Sequence, residues 1–282
     1  PTEAFTEDGV DEAKIEIIRE KYFTSPRIPE IYTPPLILLK ENIGEKKIPI
    51  YFSSRYITYK DKIVGIKAPK KDVDILTNLY DYLQKRNDLF RLYIAATSNQ
   101  LFINKNTAIL KQDLMAIPYP ENISDLKLSF AEKIIKDDVL KYGFEYLRRN
   151  ENKITGEEAN KDVLVQFAEV FCKALNSVYG DSDNKSFKLN RIIESNSWVA
   201  CDFTFTGKEV KSKYLNSAKA EDDLMHLIEN GLKKNLRINR IVRYYTKNNI
   251  ILIKPKQLRY WLKSTALRDA DDSLQDLIKA GY

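Results

Sequence analysis

The stretch Pro34-Pro35-Leu36-Ile37-Leu38-Leu39-Lys40 sets the architecture of the first part of the chain. Its apolar core is too short for a helix and has the length of a strand, and the prolines of 29–35 make the approach to it an extended link. Working outward, Ile48 to Ser53 and Ile63 to Ala68 read as two further strands. A helix follows from Asp72, an N-cap candidate, with Val73, Leu76, Leu79, Tyr80 and Leu83 on one face. A second helix covers Leu89 to about Thr97, and Ala108 to Pro118 returns to strand. Upstream, Asp11 to Phe23 carries Ile15, Ile17, Ile18 and Tyr22 at helical spacing and stops before Ser25-Pro26.

Beyond residue 122 the periodicity becomes helical. Ser124 to Arg149 is the longest such stretch, and Glu157 to Val178 places Leu164, Phe167, Ala168, Phe171 and Leu175 inward. Strands are expected at Phe187 to Ile193, Trp198 to Thr206, Ile238 to Tyr245 and Ile250 to Lys254. Lys247-Asn248-Asn249 joins the last two as a hairpin turn. Helices from Ala218 to Lys234 and from Thr265 to Lys279 complete the pattern. The expected organisation is mixed α/β and α+β: residues 1–33 a helix and link, 34–122 an α/β domain, 123–156 a helical spacer, 157–282 an α+β domain.

Composition narrows the chemistry. With 43% hydrophobic residues a substantial core can form, and 282 residues suit two domains. No apolar run approaches the roughly 20 residues of a membrane helix, so no membrane partner is expected. Cys172 and Cys201 are too few for a disulfide framework, which points to a reducing, cytoplasmic setting. The one histidine, His226, excludes two-His metal sites and reads as a packing or surface residue. The nine glycines form neither G-x-G-x-x-G nor G-x-x-x-x-G-K-[ST], so no phosphate loop for a nucleotide is visible. No catalytic residue and no metal ligand is assigned, and no cofactor is expected on these residues.

The charge is unevenly spread. Gly231 to Arg268 holds eleven cations and no acid, and Lys40 to Lys71 holds nine cations against Glu41, Glu45 and Asp61. Those two stretches take 20 of the 46 basic residues and three of the 40 acidic ones, leaving the remainder net acidic. Tyr244, Tyr245, Tyr260, Trp261 and several asparagines interleave the cations of the second stretch. Cations that neutralise phosphates, beside amides and rings that meet bases, point to double-stranded DNA as the partner.

Several motifs in the first domain carry a resemblance. Pro35-Leu36-Ile37-Leu38-Leu39-Lys40, Ile50-Tyr51-Phe52, Ile63-Val64-Gly65-Ile66 and Ile117-Pro118-Tyr119-Pro120 follow one another around a helical stretch. This order resembles the target-recognition region of adenine-specific N6 DNA methyltransferases, opened by P-x-(I/L)-x-x-K and closed by (I/L)-P-x-P. Lys234 to Arg240, Ile253 to Trp261 and Ala266 to Asp272 look like the C-terminal part of large bacterial restriction-modification proteins. The catalytic (N/D)-P-P-(Y/F) is absent, since Thr33-Pro34-Pro35-Leu36 departs from it, and so is the glycine loop for S-adenosylmethionine. The resemblance therefore implies a methyltransferase domain N-terminal of Pro1 on the same polypeptide, which would bind S-adenosylmethionine. The present chain would grip and read DNA around the extruded adenine.

Candidate DNA contacts are Lys40, Lys46, Lys47, Arg55, Tyr56, Lys60 and Lys67 in the first domain. In the second they are Arg237, Arg240, Arg243, Lys254, Lys256 and Arg259. Most suit phosphates; Arg55 beside Tyr56 is the candidate for a guanine edge. Trp261 reads as a packing residue. One rival reading is a Mg²⁺-dependent PD-(D/E)xK-like nuclease built on Asp202, Glu209 and Lys211. Another is a protein-interaction module whose basic strands meet an acidic partner.

Overall fold

The structure, a computed structural model, describes residues 2–16, 27–59, 61–101, 106–119, 127–145, 153–180, 184–216, 222 and 241–282. Its architecture is mixed α+β. The chain divides into two compact units, residues 1–129 with 139–151, and residues 130–138 with 152–282. The stretch read as a spacer is thus shared out. Its helix α4 (Phe130–Asp138) belongs to the second unit and the π-helical turn Val139–Gly143 to the first. Residues 1–33, read as a separate helix and link, form no unit of their own.

The first unit is built on a three-stranded antiparallel sheet with β3 (Leu36–Lys40) between β4 (Ile50–Ser53) and β5 (Ile63–Lys67). An unbroken apolar run is what a strand covered on both faces requires, and β3 is covered on both. Ile37 and Leu39 pack into a cluster with Leu76, Leu83, Phe90 and Ile94 of helices α1 (Val73–Lys85) and α2 (Asn87–Thr97). Leu36 and Leu38 face the other way, onto Phe5 and Val10. These come from the small N-terminal hairpin of β1 (Phe5–Thr6) and β2 (Gly9–Val10).

Three local readings change here. The described part of Asp11 to Phe23 is a 3-10 turn over Glu12–Lys14 followed by extended Ile15, because Val10 is docked on the sheet and Glu12 is tied to Arg55. In Ala108 to Pro118, α3 (Lys111–Met115) replaces the expected strand, leaving an isolated bridge between Ala108 and Asn42. Asp113 makes that helix: its carboxylate accepts from the Leu110 backbone N–H at 2.9 Å and from the Ser98 hydroxyl at 3.2 Å. Asp72 does not cap α1 through its side chain; a 3-10 turn over Lys70–Asp72 leads into the helix.

The second unit carries a five-stranded sheet. Its strands are β6 (Ser186–Glu194), β7 (Trp198–Thr206), β8 (Lys213–Asn216), β9 (Val242–Tyr245) and β10 (Asn249–Pro255), in the order β8-β6-β7-β10-β9. All pairs are antiparallel except β6 with β8. Thr246 and Asn249 close the expected β9–β10 hairpin through a 2.9 Å backbone hydrogen bond. Helices α5 (Lys161–Tyr179) and α6 (Lys263–Lys279) pack against one sheet face. Asn160 caps α5 by accepting from the Val163 N–H at 3.0 Å.

Side chains alternate between the faces with period two. Val199, Cys201, Phe203, Ile250 and Leu252 join Leu164, Phe167, Phe171 and Trp261 in the main core. Ala200, Ile251 and Ile253 join Ile193, Trp198, Val242 and Tyr244 on the opposite face. No helix among the described residues is long and apolar enough to cross a membrane. Residues 217–221 and 223–240, which contain most of the helix expected at Ala218 to Lys234 and also His226, lie outside the described residues.

Candidate nucleic-acid interface

The described first-unit candidates fall at the ends of β3 and β5 and in the β3–β4 and β4–β5 connections. In the β3–β4 connection Lys46 is exposed and Lys47 lies 3.7 Å from Asp8. The Lys40 ammonium, at the end of β3, donates to the Phe5 carbonyl at 2.9 Å. In the β4–β5 connection Arg55 is exposed and pairs with Glu12. That contact, mainly the hydrogen bond itself, lowers the Glu12 carboxyl and raises the Arg55 guanidinium from their ordinary values. Lys67 is exposed and donates to the Glu30 carbonyl. Lys60 lies outside the described residues.

Aromatic rings gather beside Arg55. Tyr56 is 55% exposed, and Tyr32 meets it edge-on with ring centroids 6.1 Å apart. Tyr32 also meets Tyr59 at 5.2 Å, and its hydroxyl donates to the Tyr59 carbonyl. Burial pushes the Tyr59 phenol above its ordinary pKa. Gly65 makes room for this ring: a Cβ there would sit 1.8 Å from the Tyr59 hydroxyl. Lys62 and Arg27 are exposed nearby in sequence, with Arg27 3.9 Å from Asp61. The sequence reading singled out Arg55 and Tyr56 and missed Tyr32 and Tyr59, whose place in the cluster depends on a contact across 27 residues.

The second-unit candidates have a different fate. Lys254 cannot contact DNA, because its side chain is fully buried. Alternation along β10 puts Lys254 on the helix-facing side with Ile250 and Leu252. There its ammonium meets Asp269 at 2.5 Å, donates to the Tyr260 carbonyl at 2.6 Å, and lies over the rings of Phe167 and Trp261. Burial lowers its pKa to about 8 against the opposing pull of Asp269. Trp261 is itself buried and donates to the Pro255 carbonyl at 2.8 Å, so it packs and offers no stacking face.

Arg243 is also engaged, 3.5 Å from Asp269 and paired with Asp272. Lys256 bridges Glu194 at 2.6 Å and Glu158 at 3.0 Å, and those hydrogen bonds raise its pKa. Arg259 lies over the Tyr260 ring and donates to its hydroxyl at 2.9 Å. Arg237 and Arg240 lie outside the described residues. Among the described cations of the acid-free run, Lys254, Arg243 and Lys256 are thus paired with acids from elsewhere in the unit. Asp269, Asp272 and Asp276 occur at i, i+3 and i+7 of α6 and so share one helical face, where they take Lys254, Arg243 and the Tyr245 hydroxyl. That D-x-x-D-x-x-x-D spacing was the available signal.

The nuclease constellation does not assemble. Asp202 is buried on β7 and its carboxylate accepts from Asn190 at 2.9 Å, Arg191 at 3.0 Å and Asn249 at 2.9 Å. An extra residue in β6 between Leu189 and Arg191 lets two neighbours reach the same carboxylate. Glu209 and Lys211 are exposed in the β7–β8 connection. Among the described residues no group of three or more potential ligands could hold a metal ion. Burial raises the thiol pKa of Cys172 to about 12 and that of Cys201 further, which makes both poor nucleophiles.

A cleft of about 440 Å³ is lined by Glu3, Glu7, Glu45 and Lys40, and one of about 270 Å³ by Glu158, Glu194, Lys256 and Tyr214. Comparison of the chain with family models, curated proteins and solved structures finds no match.

Proposed function

We propose that the chain binds double-stranded DNA through its first unit, as the recognition region of an adenine-N6 DNA methyltransferase or fused restriction-modification protein. Methyl transfer and S-adenosylmethionine belong to another domain of that polypeptide. The observation that carries the reading is the contrast in cation exposure. Lys46 stands exposed in the β3–β4 connection, Arg55 and Lys62 in the β4–β5 connection and Lys67 at the end of β5, with Tyr56 of the Tyr32–Tyr56–Tyr59 cluster next to Arg55. The described candidate cations of the second unit are instead engaged within it. Phosphate contacts from such cations position a duplex, while Arg55 and Tyr56 are the side chains offered to base edges.

The test is a salt titration of duplex binding by fluorescence anisotropy. Replacing Lys46, Arg55 and Lys67 by Gln should reduce the slope of log affinity against log salt by roughly 2 to 3, at about 0.9 per phosphate contact. Lys256→Gln in the second unit should leave it unchanged. An unaltered slope in the triple variant refutes the assignment.

A further inference from the structure

The turn that joins β3 to β4 has the construction of an anion site. Gly44 adopts φ +69°, and a Cβ there would lie 1.8 Å from the Lys47 carbonyl oxygen, so the turn requires glycine. Asn42 accepts from the Gly44 N–H at 2.8 Å. From beneath, Arg91 of α2, a 4% exposed side chain, donates to the carbonyls of Gly44, Glu45 and Lys46. Asn87, one turn earlier on the same helix, exchanges hydrogen bonds of 2.8 and 3.0 Å with the backbone of Ile48. With its carbonyls drawn onto a buried guanidinium, the turn aims successive N–H groups at one point. The N–H groups of Glu45 and Lys46 both donate to the carboxylate of Glu7, the latter at 3.2 and 3.1 Å. Converging backbone N–H groups of this kind are an anion-binding concavity.

The occupant belongs to an acidic segment. Residues 2–16 carry six carboxylates against the single cation Lys14. Besides Glu7 in the turn, Asp8 faces Lys47 and Glu12 faces Arg55. Three negative groups are thus set on three anion-binding positions of the surface to which duplex binding is assigned. A cleft lined by Lys40, Asn42, Gly44 and Thr107 adjoins the turn.

We infer that the Gly44–Lys46 turn is a backbone phosphate-binding nest, held by the Glu7 carboxylate in the free chain and taken by a DNA phosphate in the complex. The inference rests on the duplex-binding reading. The acidic segment then acts as an internal competitor, and binding requires Glu7 to leave.

Glu7→Gln weakens the competitor while keeping its shape. At about 50 mM salt its duplex affinity should rise several-fold, with the slope of log affinity against log salt changed little, because a phosphate takes the nest in both complexes. Glu16→Gln removes the same charge from an exposed position of the same segment, outside both the turn's hydrogen bonds and the adjoining cleft, and should change the affinity far less. The amide resonances of Glu45 and Lys46 should shift when Glu7→Gln protein is titrated with duplex, and more weakly with inorganic phosphate. If duplex binds but those amides do not move and Glu7→Gln binds no more tightly than Glu16→Gln, the nest is refuted while the duplex reading stands. If neither protein binds duplex, the function itself is wrong.

Discussion

Removing the acid under Lys254 tests whether that cation is spent inside the protein. Both partners have fully buried side chains, and the ammonium lies 2.5 Å from Asp269. In Asp269→Asn the ammonium keeps the Tyr260 carbonyl and two aromatic faces but loses its counter-charge. A buried charge deprived of its partner costs about 3–5 kcal/mol. Lys254→Met should cost less, because Asp269 still has Arg243 at 3.5 Å. The double variant Lys254→Met/Asp269→Leu should lie near the wild type, since a buried pair is often replaceable by packed apolar groups.

Trp198 and Trp261 are the two tryptophans of the chain and both belong to the second unit, so their fluorescence in urea follows that unit alone. The sign of the pH effect follows from the lowered pKa. Between about 8 and the ordinary 10.5 the folded lysine has lost its proton while the unfolded one retains it. Stability therefore rises with pH across that window, and the penalty is fully present below it. Lys254→Met should remove this component from the difference against wild type. If Asp269→Asn unfolds within about 0.5 kcal/mol of wild type, far below the cost expected of an unpaired buried charge, Lys254 is not an internal residue and must be reconsidered as a phosphate contact.

Two further changes probe the two sheets. Gly65→Ala places a methyl against the Tyr59 ring; overpacking of this kind costs about 1–3 kcal/mol, and duplex affinity should fall with the displaced Tyr32–Tyr59 contact. Unchanged denaturation and anisotropy curves would count against that cluster. Asp202→Ala leaves the amides of Asn190 and Asn249 without their acceptor. It should lower stability by about 2–4 kcal/mol, and Mg²⁺ should not shift the melting temperature of the wild type. A Mg²⁺-dependent rise lost in Asp202→Ala would restore the nuclease reading.

Most of the elements are legible from local pattern. The runs at Leu36, Ile50 and Ile63, the β9–β10 hairpin at Lys247-Asn248-Asn249, and the helical repeats of α1, α2, α5 and α6 all express periods that neighbouring residues carry by themselves. Where the reading failed, a distant partner intervened. Asp113 caps α3 and holds Ser98, which turns an apolar stretch read as strand into helix. β8 is four residues long and lies parallel to β6, a pairing for which a short segment carries no periodic signal. Glu12, read as part of a helix, is instead tied to Arg55 across 43 residues.

The candidate site divides along the same line. Residue order alone determined where cations are concentrated, that two α/β-type cores can form, and that two-histidine metal sites are impossible in this chain. Only the tertiary structure decided which cations remain available. Alternation along β10 turns Lys254 inward and the acid stripe of α6 takes Arg243 as well, whereas Lys62 and Lys67 at the two ends of β5 stay exposed, as does Arg55 with Glu12 as its partner. Charge is a property of composition, but its availability depends on which counter-charges the fold brings within a few ångströms, and Coulomb energy falls with distance in space rather than along the chain.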